Sequence, residues 1–348
     1  MYRRHEQLST EKIWLVQSDE HRQRTVYHMS EGPTRFLPEH IRDSLDSEIP
    51  AQRPAHNICL YNFEASNIAA DVVSSYIFEN HPVQVHTIVD RMVPAWVNDS
   101  VDVVIMSYTG NSPEVDEVYT VAKQRTSRIH CITSGGRLKE LCEKGGDQLL
   151  LVPQGLSNSD ATGYEIGILA NLYESMGIQG IREALEDSLP RIMEYRDSVW
   201  DSEYAEHIAS FIGGRIPVIY CIGELRAVHK RWKMLINQVL GRLAFSGELP
   251  EFDHNEIVSW TEDKDSRDFV ILLFRTQTES ELLDKIVGTV TELLPEYDLN
   301  IEIIGLEGRL MERGIKGIIL ADAVISRMEE VQRCQSRQGP DSMSSSTI

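Results

Sequence analysis

Positive charge is scarce in this chain: 34 lysines and arginines stand against 54 aspartates and glutamates over 348 residues, a net charge of −20. Such an excess repels nucleic acid and anionic membrane surfaces, so neither is an expected partner, and an anionic ligand must be held by local dipoles. Cysteine is scarce too. Cys59, Cys131, Cys142, Cys221 and Cys334 show no metal-ligand spacing. They read as reduced, mostly buried thiols of a cytoplasmic protein, with no metal and no cofactor indicated. No apolar run approaches membrane-spanning length, and Met1-Tyr-Arg-Arg-His lacks the apolar region of a secretion signal. What remains, 41% hydrophobic and 25% charged, is the composition of a globular chain long enough for two domains.

From residue 57 onward, short apolar runs alternate with segments of helical period. The runs lie at 57–61, 83–88, 101–106, 129–133 and 148–153, with helices expected near 66–80, 112–125, 137–144 and 160–176. A second alternation places strands at 216–222, 269–274 and 300–305, and helices near 225–243, 278–293 and 308–332. Repeated β-α units imply an α/β fold: two doubly wound αβα sandwiches with mostly parallel sheets. The expected organisation is an N-terminal helical or partly disordered arm (1–50), a first domain (51–176), linking helices (177–212), a second domain (213–332) and a disordered polar tail (333–348).

The sharpest local signal follows the strand Val103-Val-Ile-Met106: Ser107-Tyr-Thr-Gly-Asn-Ser-Pro-Glu-Val115. Ser112 suits a helix cap, Pro113 a first turn, and Glu114, Asp116 and Glu117 the positive helix end. Hydroxyls of Ser107, Thr109 and Ser112, with Asn111 and free backbone N–H groups, would converge as a phosphate site. An ordinary strand-to-helix connection is the competing reading. A second turn shifts the balance: Ser134, Gly135 and Gly136 also lie between a strand and a helix, and the glycines let the backbone approach a ligand closely. Two such turns from neighbouring strands could share one phosphate.

Asp253, His254 and Glu256 make an acid–imidazole–acid cluster, in which histidine suits proton transfer near neutral pH. Pro250 and Asn255 argue that this stretch is a loop, and a solvated charged loop is the competing reading. Arg231 and Lys233 lie on a basic helix that either draws in an anion or pairs with the many acids.

In combination these residues resemble the sugar isomerase (SIS) superfamily, nearest its two-domain branch, the bifunctional phosphoglucose/phosphomannose isomerases. The similar motifs are Ser-Tyr-Thr-Gly-Asn-Ser at 107–112, Thr-Ser-Gly-Gly-Arg-Leu at 133–138, Pro153 with Gly163-Tyr164, Arg231-Trp232-Lys233 with Ile236-Asn237, and Pro250-Glu251 with His254-Asn255-Glu256. They run in the family's order over roughly residues 55–260. The resemblance implies a homodimer that binds a phosphorylated sugar, with His254 assisting ring opening, often from the second subunit.

The departures bear on chemistry. Glu64 and Ala65 replace a glycine pair after the first strand, and Ser159 stands where the family has an arginine near the sugar. Gln238 stands where it has the glutamate base. Aldose–ketose isomerisation moves a proton between adjacent carbons, and an amide cannot accept it. Three functions follow: an isomerase in which Glu64 or Glu256 serves as base, a phosphosugar-binding sensor or partner subunit, or an enzyme of altered chemistry on a sugar-like substrate.

Overall fold

Fully apolar strands flanked by amphipathic helices find their burial in parallel sheets, and the computed structural model of the chain contains two. It describes residues 34–47, 49–63, 65–262, 268–276, 281–293 and 300–337; Glu64, most of the N-terminal arm and the tail from 338 lie outside them. The first sheet comprises β1 (Asn57–Asn62), β2 (Gln84–Ile88), β3 (Val101–Met106), β4 (Ile129–Thr133) and β5 (Gln148–Leu151). Its spatial order is β2-β1-β3-β4-β5, with every neighbour parallel. The second comprises β6 (Ile216–Ile222), β7 (Phe245–Leu249), β8 (Phe269–Thr276) and β9 (Asn300–Leu306). Its order is β7-β6-β8-β9, again parallel throughout.

Helices cover both faces of the first sheet. Ile58, Leu60, Val104 and Met106 face α2 (Ser66–Asn80) and α5 (Asn158–Ser175), where Ile68, Val72, Ile166 and Leu169 meet them. Cys59, Tyr61, Val103 and Ile105 face α3 (Glu114–Lys123) and α4 (Gly136–Gly145), against Val115, Val118, Leu138 and Cys142. Alternate residues of each strand therefore serve opposite layers. The N-terminal helix α1 (Leu37–Leu45) packs on α5. Two helices, α6 (Ile181–Val199) and α7 (Glu203–Ile212), occupy the stretch between the sheets. The core beneath α2 and α5 continues without a break into the second half. There α8 (Arg226–Gln238) and α12 (Leu310–Arg337) pack against each other and against α2.

Three local expectations are corrected. The helix expected to reach 243 stops at Gln238, and β7 follows, unforeseen. Arg242 anchors the connection, donating from its guanidinium to the carbonyls of Gly213 (2.7 Å) and Arg215 (2.5 Å), which brings the next residues beside β6. The stretch at 249–256 is not a loop: α9 (Glu251–Asn255) and α10 (Ile257–Glu262) form there. Pro250 sits at the helix start, where it lacks only a donor the helix does not use. Ser112 is not the cap of α3; Pro113 holds that position. The remaining helix of the second half is α11 (Glu281–Leu293), and α12 runs past 332 to Arg337.

Candidate functional site

The chain leaves β1 toward β2 on one side and continues from β3 to β4 on the other, so the strand order reverses between β1 and β3. In an open parallel sheet the ligand crevice lies beyond the carboxyl ends at that reversal. The turn at 107–112 leaves β3 there.

The turns after β3 and β4 are stitched together. Ser134 donates both its N–H (2.8 Å) and its hydroxyl (2.7 Å) to the Tyr108 carbonyl. The Leu138 N–H donates to the Gly110 carbonyl at 2.9 Å, and the Arg137 N–H to Asn111 Oδ1 at 3.1 Å. Glycine is required at two points. Gly110 has φ +68°, and a Cβ there would lie 2.0 Å from the Gly135 carbonyl oxygen; Gly136 has φ +66°, and its Cβ would lie 2.3 Å from that of Thr109. The expected glycine role therefore takes a particular form: the backbones approach each other.

Within the first turn, Ser107 is buried, accepts from the Gly110 N–H (3.2 Å) and lies 3.3 Å from Ser112 Oγ. Thr109 Oγ1 accepts from the Asn111 N–H at 3.2 Å. The structure thus brings Ser107, Thr109, Asn111, Ser112, Ser134, Gly135 and Gly136 to one strand edge. Three of them carry the turn's own architecture: Asn111 caps α4, Ser134 ties the turns, and Ser107 is internal. Asp116 and Glu117 at the start of α3 are offset by Arg137 (2.8 Å) and Arg91 (3.5 Å). Gln154 and Tyr108 tie in the segment leading to α5: Gln154 donates to the Ser134 carbonyl at 2.8 Å, and Tyr108 Oη accepts from the Leu156 N–H at 2.8 Å. Ser159 lies in the first turn of α5, buried, two residues beyond the cap Ser157. Burial pushes the Tyr108 phenol up, and the nearby carboxylates of Glu165 and Asp160 add to this.

Sequence reasoning missed a pair at the end of β1. Ser66, the first residue of α2, donates its hydroxyl to Glu165 Oε1 at 2.5 Å, and both residues are fully buried. Asn62, also buried, has no hydrogen-bond partner for its Oδ1 among the described residues. A hydroxyl opening the helix after the first strand was the available signal. Glu165 gave none, because a carboxylate in an otherwise apolar helix does not disclose its neighbours.

The second-half candidates lie elsewhere. Gln238 is exposed at the end of α8, and His254 is exposed on α9. Glu256 is bonded by the Tyr220 hydroxyl, whose phenol burial and that carboxylate push up. Glu64 lies outside the described residues. Of the basic helix, Arg231 is fully buried, and its Nη2 donates to both carboxylate oxygens of Asp322 of α12 at 2.7 and 3.0 Å; Lys233 is exposed. Where α8 meets α2, Lys230 donates to Asp71 at 2.5 Å. The His229 imidazole, 3.6 Å away, and then two hydrogen bonds from Arg226 hold the Glu248 carboxyl down at about 2.

Residues 201–326 match the family model of the bacterial phospho-glucose isomerase C-terminal SIS domain, so the likeness extends past residue 260. A bifunctional phosphoglucose/phosphomannose isomerase of Thermoplasma volcanium is 30% identical over 237 residues, covering 68% of this chain and 72% of that protein. A D-glucosamine-6-phosphate 4-epimerase of Sulfolobus acidocaldarius is 26% identical over 301 residues, covering 84% of this chain and 92% of that protein. In fold alone, the chain is similar to the C-terminal domain of glucosamine-fructose-6-phosphate aminotransferase from Francisella tularensis, with TM-score 0.67 at 14% identity over 86% of this chain and 94% of that one. It is likewise similar to tagatose-6-phosphate ketose/aldose isomerase from Escherichia coli, with TM-score 0.59 at 14% identity over 85% of this chain and 86% of that one. Among the described residues no helix is long and apolar enough to cross a membrane.

Proposed function

The chain belongs to the bifunctional phosphoglucose/phosphomannose isomerase branch of the SIS superfamily, and on that premise we propose that it binds a phosphorylated sugar at the β1/β3 reversal and is a poor aldose–ketose isomerase. One observation carries this reading: two hydroxyl-bearing turns, locked by Gly110 and Gly136, meet at the strand edge where a ligand crevice belongs. Thr109 and Ser112, both half-buried, lie in the turn that leads into α3. The phosphate sits there. The sugar extends toward the ends of β1 and α5.

Position 238 argues against ordinary isomerisation. The amide of Gln238 cannot take a proton from carbon, and a positioned base is worth about 10²–10⁴-fold in rate. Ser159 removes a cation that would offset enediolate charge. We place the active protein in the cytoplasm as a homodimer, with His254 of α9 presented at the subunit boundary. A coupled assay of glucose 6-phosphate and mannose 6-phosphate should give turnover that is undetectable or very slow, while sugar phosphates raise the melting temperature by mass action. Brisk turnover would contradict the first part; no thermal shift at high millimolar ligand would contradict the second.

A second reading has specific support. The Sulfolobus epimerase aligns with the longer stretch of this chain. Epimerisation inverts one carbon and leaves the carbonyl where it was, so it does not use the proton transfer between adjacent carbons that a carboxylate at 238 would serve. Conversion of glucosamine 6-phosphate to its 4-epimer, followed by proton NMR, tests this reading; an unchanged spectrum after long incubation eliminates it.

A further inference from the structure

The start of α3 is awkward for an anion in one respect. Its first turn carries three carboxylates, Glu114, Asp116 and Glu117, and the hydroxyls of Thr109 and Ser112 bring no charge to offset a phosphate beside them. Among the described residues, Arg137 and Arg91 pair with that turn. Arg137 is committed: its Nε donates to Asp116 at 2.8 Å and its Nη1 to Glu140 at 3.1 Å. Arg91 is held far more loosely. Its guanidinium makes a single contact among the described residues, from Nη1 to Glu117 Oε2 at 3.5 Å, and its side chain is 66% exposed. The backbone around it is fixed. Arg91 follows the end of β2 closely, so it lies beyond the carboxyl ends of the strands, on the β1 side of the reversal. Tyr61 of β1 donates its hydroxyl to the Met92 carbonyl at 2.8 Å, and Arg125 donates to the carbonyls of Val93 (2.7 Å) and Pro94 (2.6 Å). A tethered backbone thus presents a mobile guanidinium between β1 and the first turn of α3.

A long, solvent-exposed ion pair contributes little, so Arg91 loses little by leaving Glu117. A guanidinium can meet two phosphate oxygens at once, through charge-assisted bonds stronger than those of a hydroxyl. Glu117 opposes the same phosphate twice, by repelling it and by competing for Arg91. We propose that Arg91 is a phosphate ligand of the crevice: on binding it exchanges Glu117 for the phosphate of the sugar, and Glu117 sets how strongly the phosphate must compete. This rests on the phosphosugar reading above and assigns that site the cation which its two turns lack. It also fits the acidic chain, in which attraction must come from one well-placed charge and not from the protein at large.

Calorimetric titration at neutral pH and low salt with glucose 6-phosphate and inorganic phosphate tests it, on the unmodified protein, Arg91→Ala and Glu117→Gln. Both side chains are exposed, so neither substitution threatens folding. Arg91→Ala should weaken both ligands by about tenfold to a hundredfold, the range of a hydrogen bond to a charged group. Glu117→Gln should tighten both, and that gain should be smaller when Arg91→Ala is also present. The opposite signs separate ligation from a structural role, since an ion pair that only shapes the loop would give losses in both variants. Unchanged affinity in Arg91→Ala, no gain in Glu117→Gln, or an equal gain with and without Arg91 overturns the proposal while the phosphosugar site stands. If the unmodified protein binds neither ligand, the phosphosugar reading itself fails, and this inference falls with it.

Discussion

Gly110 is where one added carbon atom tests the paired turns. Alanine there must adopt a left-handed backbone, costing about 1–2 kcal/mol, and place its Cβ 2.0 Å from the Gly135 oxygen and 2.7 Å from Thr133 Oγ1. Gly110→Ala should lower the urea midpoint by more than the backbone cost alone and abolish the thermal shift produced by sugar phosphate. A variant that keeps both would show that the turns tolerate separation. Gln238 is the complementary case, because it can be changed without disturbing the core: it is exposed at a helix end. Gln238→Glu should raise glucose 6-phosphate turnover above the unmodified level if the remaining pocket suits an enediol. No gain would point to the residues at 64–65 and 159. These two positions also separate what sequence could and could not tell. That position 238 carries an amide and not a carboxylate is legible from a single letter. That Asn111, Ser134 and Ser107 spend their hydrogen bonds within the turns is not, because such bonds depend on which turn lies alongside.

Of the elements, β1, β3 and β4 were legible because strands buried on both faces are apolar throughout. Strand β7 was not. Phe245-Ser-Gly-Glu-Leu249 has neither an apolar run nor alternation; it is an edge strand, extended by its parallel ladder with β6 and not by propensity. The helix pair α8 and α12 carries a different lesson. Arg231 reads as a surface cation, yet it lies fully buried against Asp322. Removing one partner of a buried pair costs about 3–5 kcal/mol, whereas replacing both with apolar residues is often neutral. Asp322→Leu and Arg231→Met should each strongly lower stability to denaturant, and the two together should recover most of it. Strict additivity would show that the two do not act as a pair. The pair also has a pH signature. Burial, against the pull of Arg231, pushes the Asp322 carboxyl up to about 6, from 3.8. The folded state therefore holds that proton more tightly than the unfolded one. The stability it confers is full below 3.8 and lost as pH rises through about 6. Asp322→Asn should flatten the fall in stability across that window; an unchanged slope would assign it to another group.

For the whole molecule, two parallel sheets are joined by one continuous core, so the halves should unfold in one transition in a denaturant titration. The excess of acidic residues means that attraction of phosphate to the protein at large does not drive binding. Light scattering at micromolar concentration should give twice the mass of one 39.6 kDa chain; a strict monomer would remove the shared-site role of His254. The central claim is that phosphate is held where the β3 and β4 turns meet. The most direct measurement is a crystal structure with fructose 6-phosphate soaked in. The account predicts the phosphate within hydrogen-bond reach of the Thr109 and Ser112 hydroxyls and the N-terminal amides of α3, with the sugar directed toward Ser66 and no carboxylate from position 238 at C1 or C2. A phosphate bound away from residues 107–112, with those turns unoccupied, would contradict it.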